Sequence, residues 1–213
     1  MVQTRTSICA VVILPAVICL VLSGCRMEPN MRGPQNLDQK YEEQLQQWTE
    51  SGGVYHSLDR VLFVHATYLS PSFRHAFGTQ YLAIFGIDPA KVDSDLEMIA
   101  TSVGRGHEFF MFADTSFYTW NNLEETDSVW RMALWGGPGQ LGVPPTSIHH
   151  FRGRGPNLQA FFPYLNDFGR SYYVVFPLDQ PNGKPVLDPD HGELTIKMAS
   201  AFGEATMSWK VKE

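Results

Sequence analysis

The sequence predicts a mainly β protein: an immunoglobulin-like antiparallel β-sandwich of about seven strands, with a pair of helices inserted at about residues 70–104. Apolar and polar residues alternate with period two in the segments after residue 107. Glycine and proline separate these segments, as at 136–139, 144–145 and 181–183. Two helix starts that contain proline precede them. A doubly wound α/β fold is the alternative, but it needs helices between most strands.

The first two elements are a short helix and a strand. Apolar residues recur on one helical face at Leu37, Tyr41, Leu45 and Trp48, with Gly52-Gly53 as the expected stop. Alternatively, a strand begins at Trp48-Thr49. Residues 61–69 carry the strongest strand signal, and both of their faces are largely apolar. This pattern predicts a central strand.

The inserted helices follow that strand. Ser70 and Pro71 are typical of an N-cap and a first helical position, and Gly86 is a suitable end. Asp88-Pro89 repeats the start signal, and a second apolar stripe ends at Gly104. The later strands are expected at 108–114, 129–135, 147–151, 171–176, 193–199 and 205–211. The last of these alternates throughout, with Ala205, Met207, Trp209 and Val211 facing inward.

The N-terminal segment has the pattern of an export signal. Arg5 precedes an apolar stretch that ends in Leu22-Ser23-Gly24-Cys25. This ending resembles the bacterial lipobox, which implies cleavage between Gly24 and Cys25, a diacylglyceryl thioether on Cys25 and an acyl chain such as palmitate on its new amine. Two or more acyl chains anchor a protein durably. The alternatives are an ordinary secretory signal and an uncleaved anchor.

The resemblance therefore divides the chain into three parts. Residues 1–24 are the lipoprotein signal peptide, residues 25–36 are the lipidated cysteine and a flexible tether, and residues 37–213 are a single sandwich domain with its helical insertion. We expect a lipid-anchored protein of the bacterial cell envelope. Arg26 favours the outer membrane, because lipoproteins kept at the inner membrane often carry Asp at that position.

Composition excludes several kinds of function. The formal net charge of −6 argues against a nucleic-acid partner, which requires clustered Lys and Arg. Cys9 and Cys19 lie in the leader, and an acylated Cys25 leaves no thiol for catalysis or for an intramolecular disulfide. No nucleophile elbow, phosphate-binding loop or dinucleotide fingerprint occurs, so we predict no catalytic residue and no cofactor.

Histidines and acids do not form a recognisable metal motif, so no metal site is predicted. His107-Glu108 lacks the second histidine of a zinc protease, since Met111 stands in its place. His149 and His150 are neighbours in a strand and should point to opposite faces, and His65 is expected in the core. The acidic segment 188–193 fits a solvated turn better than a calcium loop. Metal binding through His149 or His191 stays open as an alternative.

The segment 117–122 is rich in aromatic residues between two expected strands. Phe117, Tyr118 and Trp120 are candidate contacts for an envelope protein or a glycan. The more common arrangement is that such a loop folds its rings back onto the domain. We expect a non-catalytic envelope protein that acts in binding or assembly. The rival is an envelope hydrolase whose site is assembled from loop His and carboxylates.

Three short segments carry a further likeness. Ala66-Thr67-Tyr68-Leu69-Ser70-Pro71, Phe162-Pro163-Tyr164-Leu165 and Val175-Phe176-Pro177 resemble a group of envelope lipoproteins whose activity is not known. The likeness extends over most of the body. It implies no mechanism and no site residues.

Overall fold

The computed structural model describes residues 37–91, 94–101, 104–152 and 156–211. The described residues form eight strands and four α-helices, in the order α1 Gln39–Trp48, β1 Thr49–His56, β2 Asp59–Tyr68, α2 Pro71–Phe85, α3 Ser94–Ala100, β3 His107–Thr115, β4 Arg131–Trp135, β5 Ser147–Phe151, α4 Pro156–Phe161, β6 Arg170–Phe176, β7 Glu193–Ser200 and β8 Gly203–Lys210. Short 3-10 turns cover Pro89–Lys91 and Tyr118–Trp120. The expected leader, Cys25 and the tether lie outside the described residues.

All strand pairs within the two sheets are antiparallel. One sheet has five strands in the order β1-β2-β3-β6-β5, and the other has three in the order β4-β7-β8. In the larger sheet, Met111 of β3 lies between Ala66 of β2 and Tyr172 of β6. The mainly β, antiparallel class predicted from the sequence is therefore confirmed, with α2 and α3 inserted between β2 and β3.

The five-stranded sheet has apolar side chains on both faces and is covered on both. On one face, Phe109 packs against Trp209 of the small sheet, with 4.9 Å between ring centroids. On the other face, Phe110 packs against Phe162, just after α4, at 4.4 Å. The molecule thus has three layers, with helices on one side of the large sheet and the small sheet on the other. This double coverage explains why β2 is apolar on both faces.

Two glycines expected to stop the first helix belong to a strand instead. The helix α1 ends at Trp48, and the alternative strand start at Thr49 is correct. Gly52 lies where β1 meets β8, and an added Cβ there would be only 3.2 Å from the Cβ of Ala205. The expected helix stop at Gly52-Gly53 is wrong, because both glycines lie within β1, where the absence of a side chain lets neighbouring groups approach closely. The indole Nε1 of Trp209 donates to the carbonyl oxygen of Trp48 at 2.9 Å, which fixes the helix end.

Helix α2 begins and ends where its sequence predicts. The Ser70 hydroxyl accepts from the backbone N–H of Phe73 at 3.1 Å, and Pro71 occupies the first turn. Gly86 ends the helix in the left-handed region at φ 67°, a conformation that favours glycine. Phe73 and Phe77 are fully buried against the large sheet and α4.

A buried ion pair joins the helical layer to the sheet. The Arg74 guanidinium of α2 donates to a carboxylate oxygen of Glu108 in β3, and the Tyr173 hydroxyl of β6 donates to the same oxygen at 2.9 Å. Arg74 Nη1 also donates to the carbonyl oxygens of Met98, Ile99 and Thr101 at 2.6–2.7 Å. These carbonyls lie at the C-terminal end of α3, where a helix lacks internal donors and favours positive charge.

We expect Arg74→Met to lower the free energy of unfolding by about 3–5 kcal/mol, because it leaves the Glu108 charge buried without a cation. The double variant Arg74→Met/Glu108→Leu removes that charge and should lose less than the single variant. The matched control is Arg60→Met, which breaks the exposed Arg60–Asp114 pair and should cost less than about 1 kcal/mol. Urea denaturation compares the three. Equal losses for Arg74→Met and Arg60→Met would contradict this account.

Two buried histidines make stability depend on pH. Burial lowers the pKa of both His65 and His107 to about 4, and nearby Arg60 adds to the effect on His65. An unfolded chain binds these protons near pH 6.5, so it holds more protons than the folded chain between about pH 6.5 and pH 4. Stability should therefore fall as pH falls through this window, by up to about 3 kcal/mol for each histidine.

His65→Phe tests this prediction because it keeps the ring and removes the titration. The His65 ring stacks on Tyr164 at 4.8 Å, a contact that phenylalanine can retain. In urea denaturation, the stability of the variant relative to wild type should rise as the pH is lowered from about 7 to about 4.5. His149→Phe, on an exposed position of β5, is the control for the substitution itself. A constant difference between His65→Phe and wild type across this range would refute the assignment.

Candidate functional site

Aromatic side chains gather at one end of the two sheets. The loop after β3 and the segment before β6 lie at this end because these two strands pair antiparallel. The turn between β7 and β8 lies there as well, since its Phe202 contacts Trp120. We call the surface formed by Phe117, Tyr118, Trp120 and Phe202 the aromatic end. Of these, Phe117 is 57% and Tyr118 is 63% exposed, and Phe202 is exposed as well. Trp120 is half-buried and packs against the core, so the loop turns one ring inward and leaves two exposed.

Ring contacts link the separate segments of this surface. Phe117 lies 4.5 Å from Trp120, and Trp120 stacks on Phe202 of the β7–β8 turn at 4.8 Å. The Arg170 guanidinium at the start of β6 lies over the Tyr118 ring, 4.2 Å from its centroid. Such a contact is attractive and holds both side chains in place. Three parts of the chain therefore form one continuous surface.

Hydrogen bonds to the backbone hold the loop beneath the aromatic end. Asn121 Nδ2 donates to the carbonyl oxygen of Ala113 at 2.7 Å. The Tyr172 hydroxyl donates to the backbone and side-chain oxygens of Asn121, both at 2.9 Å. Burial, with a smaller effect of the Glu124 carboxylate, raises the pKa of Tyr172, so it remains a donor at neutral pH. The loop is thus fixed from below while two of its rings stay exposed.

The sequence identified only part of this surface. Phe117, Tyr118 and Trp120 were found by their position in a loop, and they do meet in one place. Phe202 and Arg170 were missed. Phe202 carries a local signal, since a large apolar residue is unusual in a tight turn, where Gly, Asn, Asp and Ser dominate. Arg170 carries none, because its position over Tyr118 depends on the packing of a distant loop.

The structure places the candidate histidines in separate surroundings. His149 and His150 alternate on β5, as expected, and His150 Nδ1 lies 3.8 Å from Glu124 Oε1, which is too long for a hydrogen bond. His107 and Glu108 are buried within β3, and His65 packs in the core. Among the described residues, no three His, Cys, Asp or Glu side chains are placed to hold a metal ion.

The acidic segment forms a turn, and its histidine lines a cavity. Asp188 Oδ1 accepts from the backbone N–H of Asp190 at 2.9 Å, an arrangement typical of a turn. His191 lines a shallow cavity beside the small sheet. Within the part of the chain that the structure describes, no helix is both long and apolar enough to span a membrane.

Comparisons with protein-family models, with curated proteins and with solved structures each found no match to this chain. The function is therefore inferred from the geometry of the protein itself.

Proposed function

We propose that this protein is a lipid-anchored, non-catalytic protein of the bacterial envelope that binds a protein partner through its aromatic end. One observation carries the proposal: exposed rings from separate segments form a continuous surface on a fixed backbone. A monomeric protein rarely keeps a contiguous apolar patch on its surface without using it.

The composition of the aromatic end supports a protein partner over a glycan. Aromatic residues and Arg are enriched among the interface residues that contribute most of the binding energy between proteins. Here Tyr118 and Arg170 form such a pair, and Phe117 and Trp120 meet with their ring planes inclined at 55°. Inclined rings make an irregular apolar surface that suits interdigitating side chains. The ion pair Arg60–Asp114 supplies part of a polar rim.

The fixed backbone supports binding as well. Because Asn121 and Tyr172 order the loop before any partner arrives, less conformational entropy is lost on association. The lipobox supports the location, since lipid on Cys25 would restrict the protein to a membrane surface. The role is then to hold or assemble another envelope component beside that membrane.

The anchor is tested by Cys25→Ala. We expect this variant to lose incorporation of labelled fatty acid and to accumulate as uncleaved precursor or as a soluble form. The measurement is metabolic labelling followed by detergent partitioning. If the variant still partitions with detergent like the wild type, another anchor is present and the lipoprotein assignment fails.

The partner surface is tested by photo-crosslinking in cells. A photoreactive residue at Phe117 should give a discrete crosslinked protein band. The same residue at Leu82, which is 51% exposed on α2, is the matched control and should give no such band. With the photoreactive residue at Tyr118, the changes Phe117→Ser and Trp120→Ser together should reduce the band at least about fivefold.

The folded state of that double variant must be checked separately. Phe117 is largely exposed but Trp120 packs against the core, so the double variant should lose a measurable part of its unfolding free energy while its circular-dichroism spectrum stays that of the folded domain. Equal crosslinking at positions 117 and 82 would contradict a dedicated partner surface. So would an undiminished band in the folded double variant.

A further inference from the structure

A groove runs along the outer face of the three-stranded sheet, at the end opposite the aromatic end. Trp135 of β4 pairs with Thr195 of β7, and both face away from the core, as does Lys197. Their neighbours Leu134 and Ile196 are fully buried on the inner face. The loop after β4 closes one side of the groove, so that Trp135 forms its floor.

Two neighbouring cavities lie along the groove. The first, of about 390 Å³, is lined by Trp135, His191, Glu193, Thr195 and Lys197. The second, of about 580 Å³, lies between the loop at Pro138–Leu141 and the segment Gln180–Pro189. Pro138, Gly139 and Gln140 line both cavities. Each volume is of the size that small-molecule sites have.

The floor is rigid because the tryptophan has backbone behind it. A Cβ added at Gly142 would lie 2.4 Å from Cζ2 of the Trp135 ring, so the indole rests directly on the glycine. Lys197 Nζ lies over the ring, 5.4 Å from its centroid, so a ligand that stacks there displaces this flexible side chain. An aromatic face held in this way is suited to stacking against a flat apolar surface of a ligand.

The polar lining indicates the kind of ligand. Glu193 and Asp188 line the groove together with Lys197 and Lys184. Neither sign of charge therefore predominates among these lining residues, and Lys197 Nζ also pairs with Glu204 Oε1 at 3.3 Å. The remaining polar groups are amides, the Thr195 hydroxyl and the His191 imidazole. Gln140 contributes an amide to the lining of both cavities.

We propose that this groove binds a short neutral oligosaccharide. The apolar C–H face of one sugar ring stacks on Trp135, its hydroxyls bond to Glu193, Thr195 and Gln140, and the chain continues into the second cavity. This inference does not depend on the partner proposed for the aromatic end.

The test is titration of the full chain with three neutral trisaccharides, namely triacetylchitotriose, cellotriose and maltotriose, in a detergent without a sugar headgroup. The indole N–H resonance of Trp135, assigned with Trp135→Phe, should shift with at least one of them. Trp135→Ala should weaken that binding about tenfold or more. Gly142→Ala should also weaken it, because the added Cβ displaces the indole. Gly78→Ala, where an added Cβ meets open space, is the matched control.

Four other results would contradict the proposed binding site, its ligand class or the absence of hydrolysis. The proposal fails if none of the three trisaccharides moves the Trp135 resonance, or if Trp135→Ala binds as well as wild type. Tighter binding of an acidic or basic sugar would refute the neutral class. Release of shorter sugars, seen by mass spectrometry, would replace binding by hydrolysis. Trp120→Ser should leave the titration unchanged, which separates this groove from the aromatic end.

Discussion

The buried guanidinium of Arg74 is the interaction on which the helical layer depends. It joins α2 to the end of α3 and, through Glu108 and Tyr173, to the two central strands β3 and β6. A helix of seven residues such as α3 is not stable alone, because helix nucleation costs more than so few hydrogen bonds return. The Arg74 donors satisfy its last carbonyls. The helical insertion is therefore held by polar contacts as well as by the packing of Phe73 and Phe77.

The strands could be predicted from sequence because side-chain alternation is a local signal. In β8, Ala205, Met207 and Trp209 are buried and their neighbours are exposed, as the pattern indicates. The role of Gly52 was predicted wrongly because glycine occurs both at helix ends and where a neighbouring strand packs closely. The neighbouring strand here is β8, which lies about 150 residues farther along the chain. Helix α4 was missed because six residues are too few to show a period. The contacts of Arg74 were missed because its partners lie 24–34 residues farther along the chain.

The difference between local sequence signals and long-range contacts also decides which parts of the two proposed surfaces could be predicted. A loop with three aromatic residues is visible in the sequence, so Phe117, Tyr118 and Trp120 could be named. The groove was not predicted, because its lining comes from β4, β7 and two loops that no local pattern connects. Trp135, in a strand that alternates, reads as one more core residue. Only the register of β4 with β7 shows that Trp135 lies on the outer face, while Leu134 faces the core.

The two surfaces share a physical feature, namely an aromatic residue held outward by backbone contacts. Hydrophobic collapse alone would draw Phe117 and Tyr118 inward, since burial of a large aromatic side chain contributes about 2–3 kcal/mol. Their loop is instead tied to the sheet at Asn121, which bonds to Ala113 and Tyr172, so Trp120 packs against the core while Phe117 and Tyr118 stay exposed. Trp135 likewise rests on Gly142, where no side chain intervenes. In both places the fold keeps apolar area exposed at a cost to stability, and a bound partner of the kind proposed would recover this cost.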